Sequence, residues 1–180
     1  FVMGSAELAR QCGAKVVNGR HKGFGHGDIR LDDGEVFEIA KGIRIVALHT
    51  PGHTPESMCY AVHLDDAPDR AWAVFTGDTL FIGEAGRTDL PDPLQTAEHA
   101  AQLYDAVHAK LLPLGDQTIV LPAHGAGSVC GGNIAERDDS TIGLERGYNP
   151  VFVQARQAFV QGKLDERIPR PPYFLHMEQV

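Results

Sequence analysis

Three apolar segments of the chain, each typical of a buried β-strand, run directly into a short polar motif. IRIVAL leads into HTPGHT, AWAVF leads into TGD, and TIVL leads into PAHG. Polar residues at strand ends are held by rigid elements, and the adjoining loops let side chains from neighbouring strands converge on one site. Two histidines and a carboxylate delivered in this way predict a metal site.

The patterns around these motifs predict a layered α/β or α+β domain in which strands dominate. Residues 57–64 alternate in polarity as a half-buried strand does, and residues 97–112 carry the apolar stripe of a helix packed on a core. Thr96 is expected to cap this helix and Gly115 to end it. Caps, glycines and β-branched runs predict four further elements: a helix at 5–12 capped by Ser5, a strand at 14–18, a hairpin of strands at 36–40 and 43–49, and a helix at 151–161.

Composition narrows the classes of protein to consider. The 180 residues suit one domain, and no apolar run approaches the ~20 residues that a membrane helix needs. Sixteen basic against 24 acidic residues, a net charge of −8 and the lack of a Lys/Arg cluster argue against nucleic acid as a partner. Three scattered cysteines without a CxxC pair suggest neither a disulfide framework nor structural zinc, so we expect a reducing, cytoplasmic location.

The stretch LHTPGHTPES contains two histidines four residues apart. Pro51 and Gly52 exclude a helix, so His49 and His53 do not share a helical face, and their spacing alone does not make them a chelating pair. His49 belongs to the strand and is expected to be a hydrogen-bonded strand-end residue. His53 projects from the turn that Pro51 and Gly52 sharpen, which makes it the better candidate for a metal ligand.

The other two motifs supply the remaining candidate ligands. Asp78 follows a buried strand in TGDTLFIGEAGRTDL, where an unpaired charge would be costly, so it is expected either to bind metal or to cap the following turn. His124 lies between a strand and the glycine-rich loop of PAHGAGSVCGG, which lets the backbone approach a ligand closely. The alternative for His124 is a surface loop histidine.

Arg87 and Cys130 lie in these same two motifs, and each has two interpretations. Arg87 is expected to bind a substrate carboxylate or to form a structural ion pair with Asp89, and the two roles do not exclude each other. Cys130 is expected to be a small buried residue rather than a reactive thiol.

TPGHT, TGD and PAHG, in this order, resemble the second half of the metallo-β-lactamase superfamily signature. The resemblance covers nearly the whole chain and implies an αββα sandwich with the metal site at one edge. It implies that His53 and Asp78 are metal ligands and that His124 is the ligand of a second metal where one is bound. We therefore expect residues 1–150 to be the C-terminal two-thirds of such a domain, incomplete at the N-terminus, and residues 151–180 to be a terminal helix and proline-rich tail.

Finer features resemble the persulfide dioxygenase branch of that superfamily, especially its bacterial members that are fused to rhodanese domains. The features are Glu56 in TPGHTPES, the segments TLFIGEAGRTDL, PAHGAGSVCGG and STIGLERGYNP, and RPPYFLHM, which in relatives leads towards the rhodanese part. The resemblance implies one Fe(II) per chain, held by two histidines and one carboxylate. It also places Arg87 at the position that binds the thiol carrier in glutathione-using relatives.

The implied reaction belongs to sulfide metabolism. A thiol persulfide, such as glutathione persulfide, would be oxidised by O₂ to sulfite and the free thiol, so the expected partners are this small molecule and O₂. A rhodanese domain is expected in the full-length protein, and a homodimer is compatible with the resemblance.

One part of the superfamily signature does not occur in these 180 residues. HxHxDH, which supplies a ligand to the iron, lies in relatives directly before the equivalent of FVMGSAELAR. We therefore expect the chain to be truncated at both ends, to bind iron weakly without added sequence and to lack turnover.

Two other functions are compatible with the motifs. A thioester hydrolase of the glyoxalase II type would use them to bind two zinc ions that activate a water, and would give His124 a firmer role as a ligand of the second metal. A scaffold domain that keeps the fold without metal or activity would explain the missing HxHxDH. The retention of His53, Asp78 and His124 at three strand ends argues against that second alternative.

Overall fold

The chain is described by a computed structural model for residues 4–20, 27–90 and 92–174. Its main element is a five-stranded sheet whose strands lie in sequence order. The strands of this sheet are β3 (Val36–Ala40), β4 (Ile43–His49), β5 (Met58–Leu64), β6 (Ala71–Gly77) and β7 (Ile119–Pro122). Two further strands, β1 (Val17–Gly19) and β2 (Ile29–Leu31), pair in parallel as a separate small sheet. The predicted hairpin at 36–40 and 43–49 is confirmed.

The directions of the strands bring the three polar motifs to one edge of the sheet. β4, β5 and β6 are successively antiparallel, and β7 is parallel to β6. β4, β6 and β7 therefore run in the same direction and end at the same edge. The HTPGHT, TGD and PAHG segments follow these three ends, as the metal-site prediction requires.

Five α-helices accompany the strands in the described residues. They are α1 (Ser5–Cys12), α2 (Thr96–Ala106), α3 (Ile142–Tyr148), α4 (Pro150–Val153) and α5 (Arg156–Asp165). α2 continues through a π-helical turn at Val107–Leu111 and a 3-10 turn at Leu112–Leu114, and Gly115, with φ 99°, ends the segment. The predicted helix at 97–112 is thus confirmed as helical, although only its first part is an α-helix.

Two predicted caps are wrong. Thr96 is the first residue of α2, and its hydroxyl donates a hydrogen bond to Pro93 O at 2.7 Å instead of accepting one from the helix. Ser5 is likewise the first residue of α1, and Gly4 occupies the cap position without a side-chain hydrogen bond. The α2 helix therefore begins at the residue that the sequence placed just outside it, whereas α1 has its predicted range 5–12 but a different cap residue.

The predicted helix at 151–161 is two short helices, α4 and α5. Gln154 and Ala155 separate them with extended backbone, at ψ 151° and 149°. The proline-rich segment after α5 contains no regular helix or strand up to Pro171, and its last residues, 175–180, lie outside the described part.

The two faces of the large sheet pack against different layers. Residues of β5, β6 and β7 form one core with the helices; its largest members are Val74, Leu80, Leu103, Val107, Leu111, Val120, Ile142, Val151 and Phe159. Burial of each such side chain stabilises the fold by about 1.5–3 kcal/mol. On the opposite face, Ile45, Ala47 and Val62 pack with Leu31 of the small sheet. The predicted α/β class is confirmed, with a helix layer, a large sheet and a second small sheet.

Among the described segments of the chain, no helix combines the length and apolarity needed to cross a membrane.

Candidate metal centre

His53 lies on the turn between β4 and β5, which is pressed against α2. Gly52 has φ 141°, and a Cβ at this position would lie 2.5 to 2.7 Å from the Cβ, Cα and N atoms of Leu103. Glycine is needed here because any side chain would push the turn away from the helix. The close approach leaves His53 only 2% exposed.

The protonation of the His53 ring is set by its hydrogen bond. Nδ1 lies 2.9 Å from the carbonyl oxygen of Arg87, and because a carbonyl only accepts, Nδ1 carries the proton. Burial lowers the pKa of His53 below its ordinary value, although the charge of Asp78 opposes this effect. The ring is therefore neutral at pH 7, and Nε2, which is buried and has no hydrogen-bond partner, presents a bare lone pair.

Asp78 follows β6 and presents its two carboxylate oxygens to two different histidines. Oδ2 lies 3.5 Å from His53 Nε2, and Oδ1 lies 3.0 Å from His124 Nε2. The approach to His124 does not have the geometry of a hydrogen bond, so the buried Oδ1 receives none. One carboxylate thus adjoins two separate ring nitrogens.

The atoms of His53 and Asp78 suit a divalent cation. The Nε2 atom of a neutral imidazole and a carboxylate oxygen lie 3.5 Å apart, and Nε2 has no hydrogen-bond partner. A cation held at about 2.0–2.2 Å by such ligands has ligand atoms about 3–3.5 Å apart. The hydrogen bond from the other nitrogen of His53 to a carbonyl is the support that metal-bound histidines ordinarily have. The residues present therefore fit the predicted metal.

His124 follows β7 on the other side of Asp78. Ala123 N donates to Gly77 O at 3.0 Å, which ties the PAHG segment to the TGD segment. The His124 side chain is 32% exposed, so it is more accessible than His53. The structure thus brings together the three residues predicted as metal ligands, His53, Asp78 and His124.

Cys130 joins this group, which the sequence did not indicate. It is buried, as predicted, and burial raises the pKa of its thiol. Its Sγ nevertheless lies with the ligand atoms of Asp78 and His124, all within 4.8 Å of one another. The only indication of this position in the sequence is a cysteine in the glycine-rich loop after PAHG. A small buried residue without a role in the site would look the same.

Gly86 is a second residue of the site that the sequence did not indicate. A Cβ at this position would lie 1.9 Å from the backbone oxygen of Asp78 and 3.3 Å from His53 Nδ1. The loop that supplies the carbonyl to His53 can therefore lie against Asp78 only if residue 86 has no side chain. One glycine among the 20 of the chain does not reveal such a contact.

Arg87 is fully buried, and its guanidinium donates to protein acceptors through all five N–H bonds. Nε and Nη2 form a two-pronged ion pair with Asp89 at 2.7 and 2.8 Å, as one of the two interpretations predicted. Nη1 donates to Val129 O at 2.9 Å and to Pro169 O at 3.0 Å, and Nη2 also approaches Ile168 O at 3.5 Å.

The other predicted role of Arg87, binding of a substrate carboxylate, conflicts with this arrangement. No N–H bond of the guanidinium is left for a ligand, because Asp89 and the tail carbonyls of residues 168 and 169 take them. A substrate contact would require the tail to be released first. In the structure as described, Arg87 organises the site and does not face an open substrate position.

His49 lies outside the cluster. Its Nε2 hydrogen-bonds with Pro55 O at 2.8 Å, and its backbone N donates to Asp33 at 2.8 Å. The prediction of a hydrogen-bonded strand-end histidine is confirmed.

Replacement of Arg87 by leucine should destabilise the fold by about 3 kcal/mol or more. The change leaves the partly buried Asp89 carboxylate and three carbonyls without their donor, and removal of one partner of a buried pair typically costs about 3–5 kcal/mol. Urea unfolding monitored by circular dichroism measures the loss.

The matched control for Arg87→Leu is Arg156→Leu. Arg156 makes the same two-pronged contact with Asp105, at 2.8 Å for both bonds, but the side chains of this pair are 49% and 57% exposed. Exposed ion pairs contribute about 0–1 kcal/mol. Similar losses in the two variants would contradict the structural role assigned to Arg87.

The chain was compared with known protein families and solved structures. A family model described as "Metallo-beta-lactamase superfamily" matches residues 3–124. Hydroxyacylglutathione hydrolase GloC of Haemophilus influenzae is 33% identical over 120 residues, which are 67% of this chain and 45% of that protein. The chain spans about half the length of the curated relatives it matches.

Two solved structures are similar to the whole of the fold. ETHE1 from Myxococcus xanthus has a TM-score of 0.75 and 29% sequence identity, with 94% of this chain and 66% of that chain covered. A metallo-beta-lactamase from Staphylococcus aureus has a TM-score of 0.82 and 24% identity, with 96% of this chain and 52% of that chain covered, which shows the shared fold. Together with the family model, which matches more than half of the residues, these similarities show that the chain belongs to the metallo-beta-lactamase superfamily.

Proposed function

We propose that the chain is part of a non-haem iron persulfide dioxygenase. The observation that carries the proposal is the buried His53 Nε2, which has no hydrogen-bond partner and lies 3.5 Å from Asp78 Oδ2. These two residues supply one histidine and the carboxylate of a site with two histidines and one carboxylate, the arrangement typical of non-haem iron oxygenases. The similarity to ETHE1 from Myxococcus xanthus over 94% of the chain supports the dioxygenase branch.

His53 and Asp78 would hold the metal, and the rest of the site keeps these ligands in place. Bound Fe(II) supplies open coordination positions at which a persulfide sulfur and O₂ can react. The Arg87 carbonyl keeps the proton on His53 Nδ1, so that Nε2 stays available as a ligand. The Phe81 ring is fully buried, and its centroid lies 6.0 Å from that of the His124 ring.

The overall reaction conserves atoms without a further reductant. The persulfide R–S–SH, O₂ and water give the thiol R–SH and sulfite with two protons, so the outer sulfur is oxidised and O₂ is reduced. For this reaction the chain needs to bind the metal and to keep the outer sulfur in position. The proposal also includes a small carrier thiol, such as glutathione, and a rhodanese domain that follows in the full-length protein. It further includes location in the cytoplasm.

A second candidate function is hydrolysis of glutathione thioesters with two zinc ions. It is supported by the similarity to hydroxyacylglutathione hydrolase GloC and by the position of His124 next to Asp78. A carboxylate that adjoins two histidines through different oxygens is suited to two metals as well as to one.

The two functions are distinguished by one set of assays on the full-length protein. We expect the iron-loaded protein to consume one O₂ for each sulfite formed from glutathione persulfide, and to leave a glutathione thioester uncleaved. Asp78→Asn should abolish the uptake, whereas Asp66→Asn, which changes an exposed carboxylate in the β5–β6 turn, should not. Thioester cleavage by the zinc-loaded protein without O₂ uptake by the iron-loaded protein would overturn the proposal in favour of the hydrolase.

A further inference from the structure

Glu145 of α3 is an acidic side chain that the fold encloses completely, although it lies outside the metal site. Its Oε2 accepts from Gly83 N at 2.8 Å and from Asn149 Nδ2 at 2.7 Å. Its Oε1 accepts from the hydroxyls of Ser140 and Tyr148. A buried carboxyl group is costly unless such bonds compensate its lost hydration. Four donors around one carboxyl group therefore mark an anchoring point of the fold.

Gly83 lies at the tip of a hairpin, residues 79–86, that connects two parts of the metal site. Asp78 comes directly before the hairpin, and Arg87, whose carbonyl orients His53, comes directly after it. A β-bridge pairs the two strands of the hairpin. Because both site residues continue from these strands, the position of the hairpin influences how the Asp78 carboxylate and the His53 ring lie relative to each other.

The two strands of the hairpin are anchored to different helices. On the outgoing strand, Phe81 O accepts at 3.3 Å from Asn149 Nδ2, which also donates to Glu145. On the returning strand, Ala85 O accepts at 2.8 Å from Nζ of Lys163 in α5. Asn149 and Lys163 are both buried. The tip and the outgoing strand are therefore attached through the Glu145 network, and the returning strand is attached separately.

We propose that Glu145 is a positioning residue of the metal site. Through Gly83 it keeps the hairpin in the place where Asp78 Oδ2 and His53 Nε2 lie 3.5 Å apart, a separation that suits two ligands of one cation. The bonds of Glu145 go to the hairpin tip and to side chains of its own segment, so its effect on the ligands passes through the hairpin. The inference rests on the metal site of the proposed function but does not require dioxygenase activity.

Two substitutions of Glu145 separate hydrogen bonding from the filling of space. In Glu145→Gln, the amide oxygen can accept from Gly83 N and Asn149 Nδ2, and the amide N–H bonds can donate to the two hydroxyls, so the anchor is kept. In Glu145→Met, a side chain of similar length offers no oxygen to these donors. The glutamine variant is thus the conservative partner of the methionine variant.

Titration of the full-length protein with Co²⁺ measures the effect, because the visible d–d absorption of bound Co²⁺ reports the arrangement of its ligands. We expect Glu145→Met to lower the Co²⁺ affinity about 10-fold or more and to change the absorption of the saturated protein. Glu145→Gln should restore the absorption and most of the affinity.

The matched control for general loosening of the fold is Leu111→Ala. Leu111 belongs to the same core but follows eight positions after Leu103, the residue that contacts the His53 turn. The cavity that alanine leaves destabilises the core without touching the hairpin anchor. We expect this variant to keep the Co²⁺ absorption and affinity of the parent.

The outcomes separate this inference from the proposed function. Unchanged absorption and affinity in Glu145→Met would overturn it, as would an equal loss in Glu145→Gln or an equal change of absorption in Leu111→Ala. If Glu145→Met does not fold, Glu145→Asp decides: it withdraws the carboxyl group from Gly83 N by one methylene, so the same change is expected and its absence would refute the role.

Two further results concern the site as a whole. A full-length protein that does not bind Co²⁺ would overturn the metal site and this inference together. Failure of O₂ uptake, with the Co²⁺ results as expected, would overturn only the dioxygenase.

Discussion

Replacement of Asp78 by alanine is expected to lower the affinity of the chain for Zn²⁺ or Co²⁺ by more than about 100-fold. Changes in the residues that support metal ligands typically cost about 10–100-fold, and Asp78 is itself a predicted ligand. Its two oxygens adjoin both His53 and His124, so the substitution removes the carboxylate next to both candidate ligands at once. Isothermal titration calorimetry with the parent chain and the variant measures the ratio.

The control for Asp78→Ala is Asp66→Ala. Asp66 is an exposed acid in the β5–β6 turn, and its replacement removes the same charge from the chain without touching the cluster. We expect its metal affinity to stay within about twofold of the parent, because the field of a distant exposed charge is screened by salt. Comparable losses in both variants would show that net charge, and not the site, determines binding.

Replacement of Gly86 by alanine is expected to lower the free energy of unfolding by about 3 kcal/mol and to impair metal binding. The added Cβ would lie 1.9 Å from the backbone oxygen of Asp78, so the loop or the end of β6 has to move. Overpacking of a tight position typically costs about 1–3 kcal/mol, and a backbone neighbour cannot turn aside as a side chain can. The same movement separates the Arg87 carbonyl from His53. Urea unfolding and calorimetry measure the two effects.

A control substitution at another glycine shows whether the effect of Gly86→Ala is specific to position 86. Gly147 lies in α3, where an added Cβ meets no atom within 4 Å. Alanine there should stabilise the chain by about 0.5–1 kcal/mol, since glycine is a poor helix former. If Gly86→Ala proved as harmless as Gly147→Ala, the close packing of the loop on Asp78 would be refuted.

The candidate ligands could be picked out from the sequence because their signals are local. His53, Asp78 and His124 each follow an apolar run that forms a strand in the structure, and the order of the motifs carries the family resemblance. The strands at 36–40 and 43–49 were predictable for the same reason. Both are rich in β-branched and apolar residues, and Lys41 and Gly42 separate them. The fold class follows from these patterns together with the amphipathic helix.

Contacts between distant segments could not be predicted in this way. The role of Arg87 depends on Ile168 and Pro169, about eighty positions further along the chain, and nothing in GRTDL indicates that the tail folds back onto it. Cys130 joins Asp78 and His124 because its loop is tied to Arg87, which is again a tertiary contact. The caps failed for a different reason: Thr96 and Ser5 have the right chemistry, but each is the first residue of its helix and not the residue before it.

The two ends of Arg87 have a thermodynamic consequence. Its carbonyl orients His53, while its guanidinium holds the carbonyls of residues 168 and 169. If both contacts require the same position of Arg87, metal binding at His53 and docking of the tail would be coupled. Coupling free energies are reciprocal, so docking of the tail would then change the metal affinity by the same factor by which the metal changes docking. A binding event at the tail would reach a metal at His53 through a single residue.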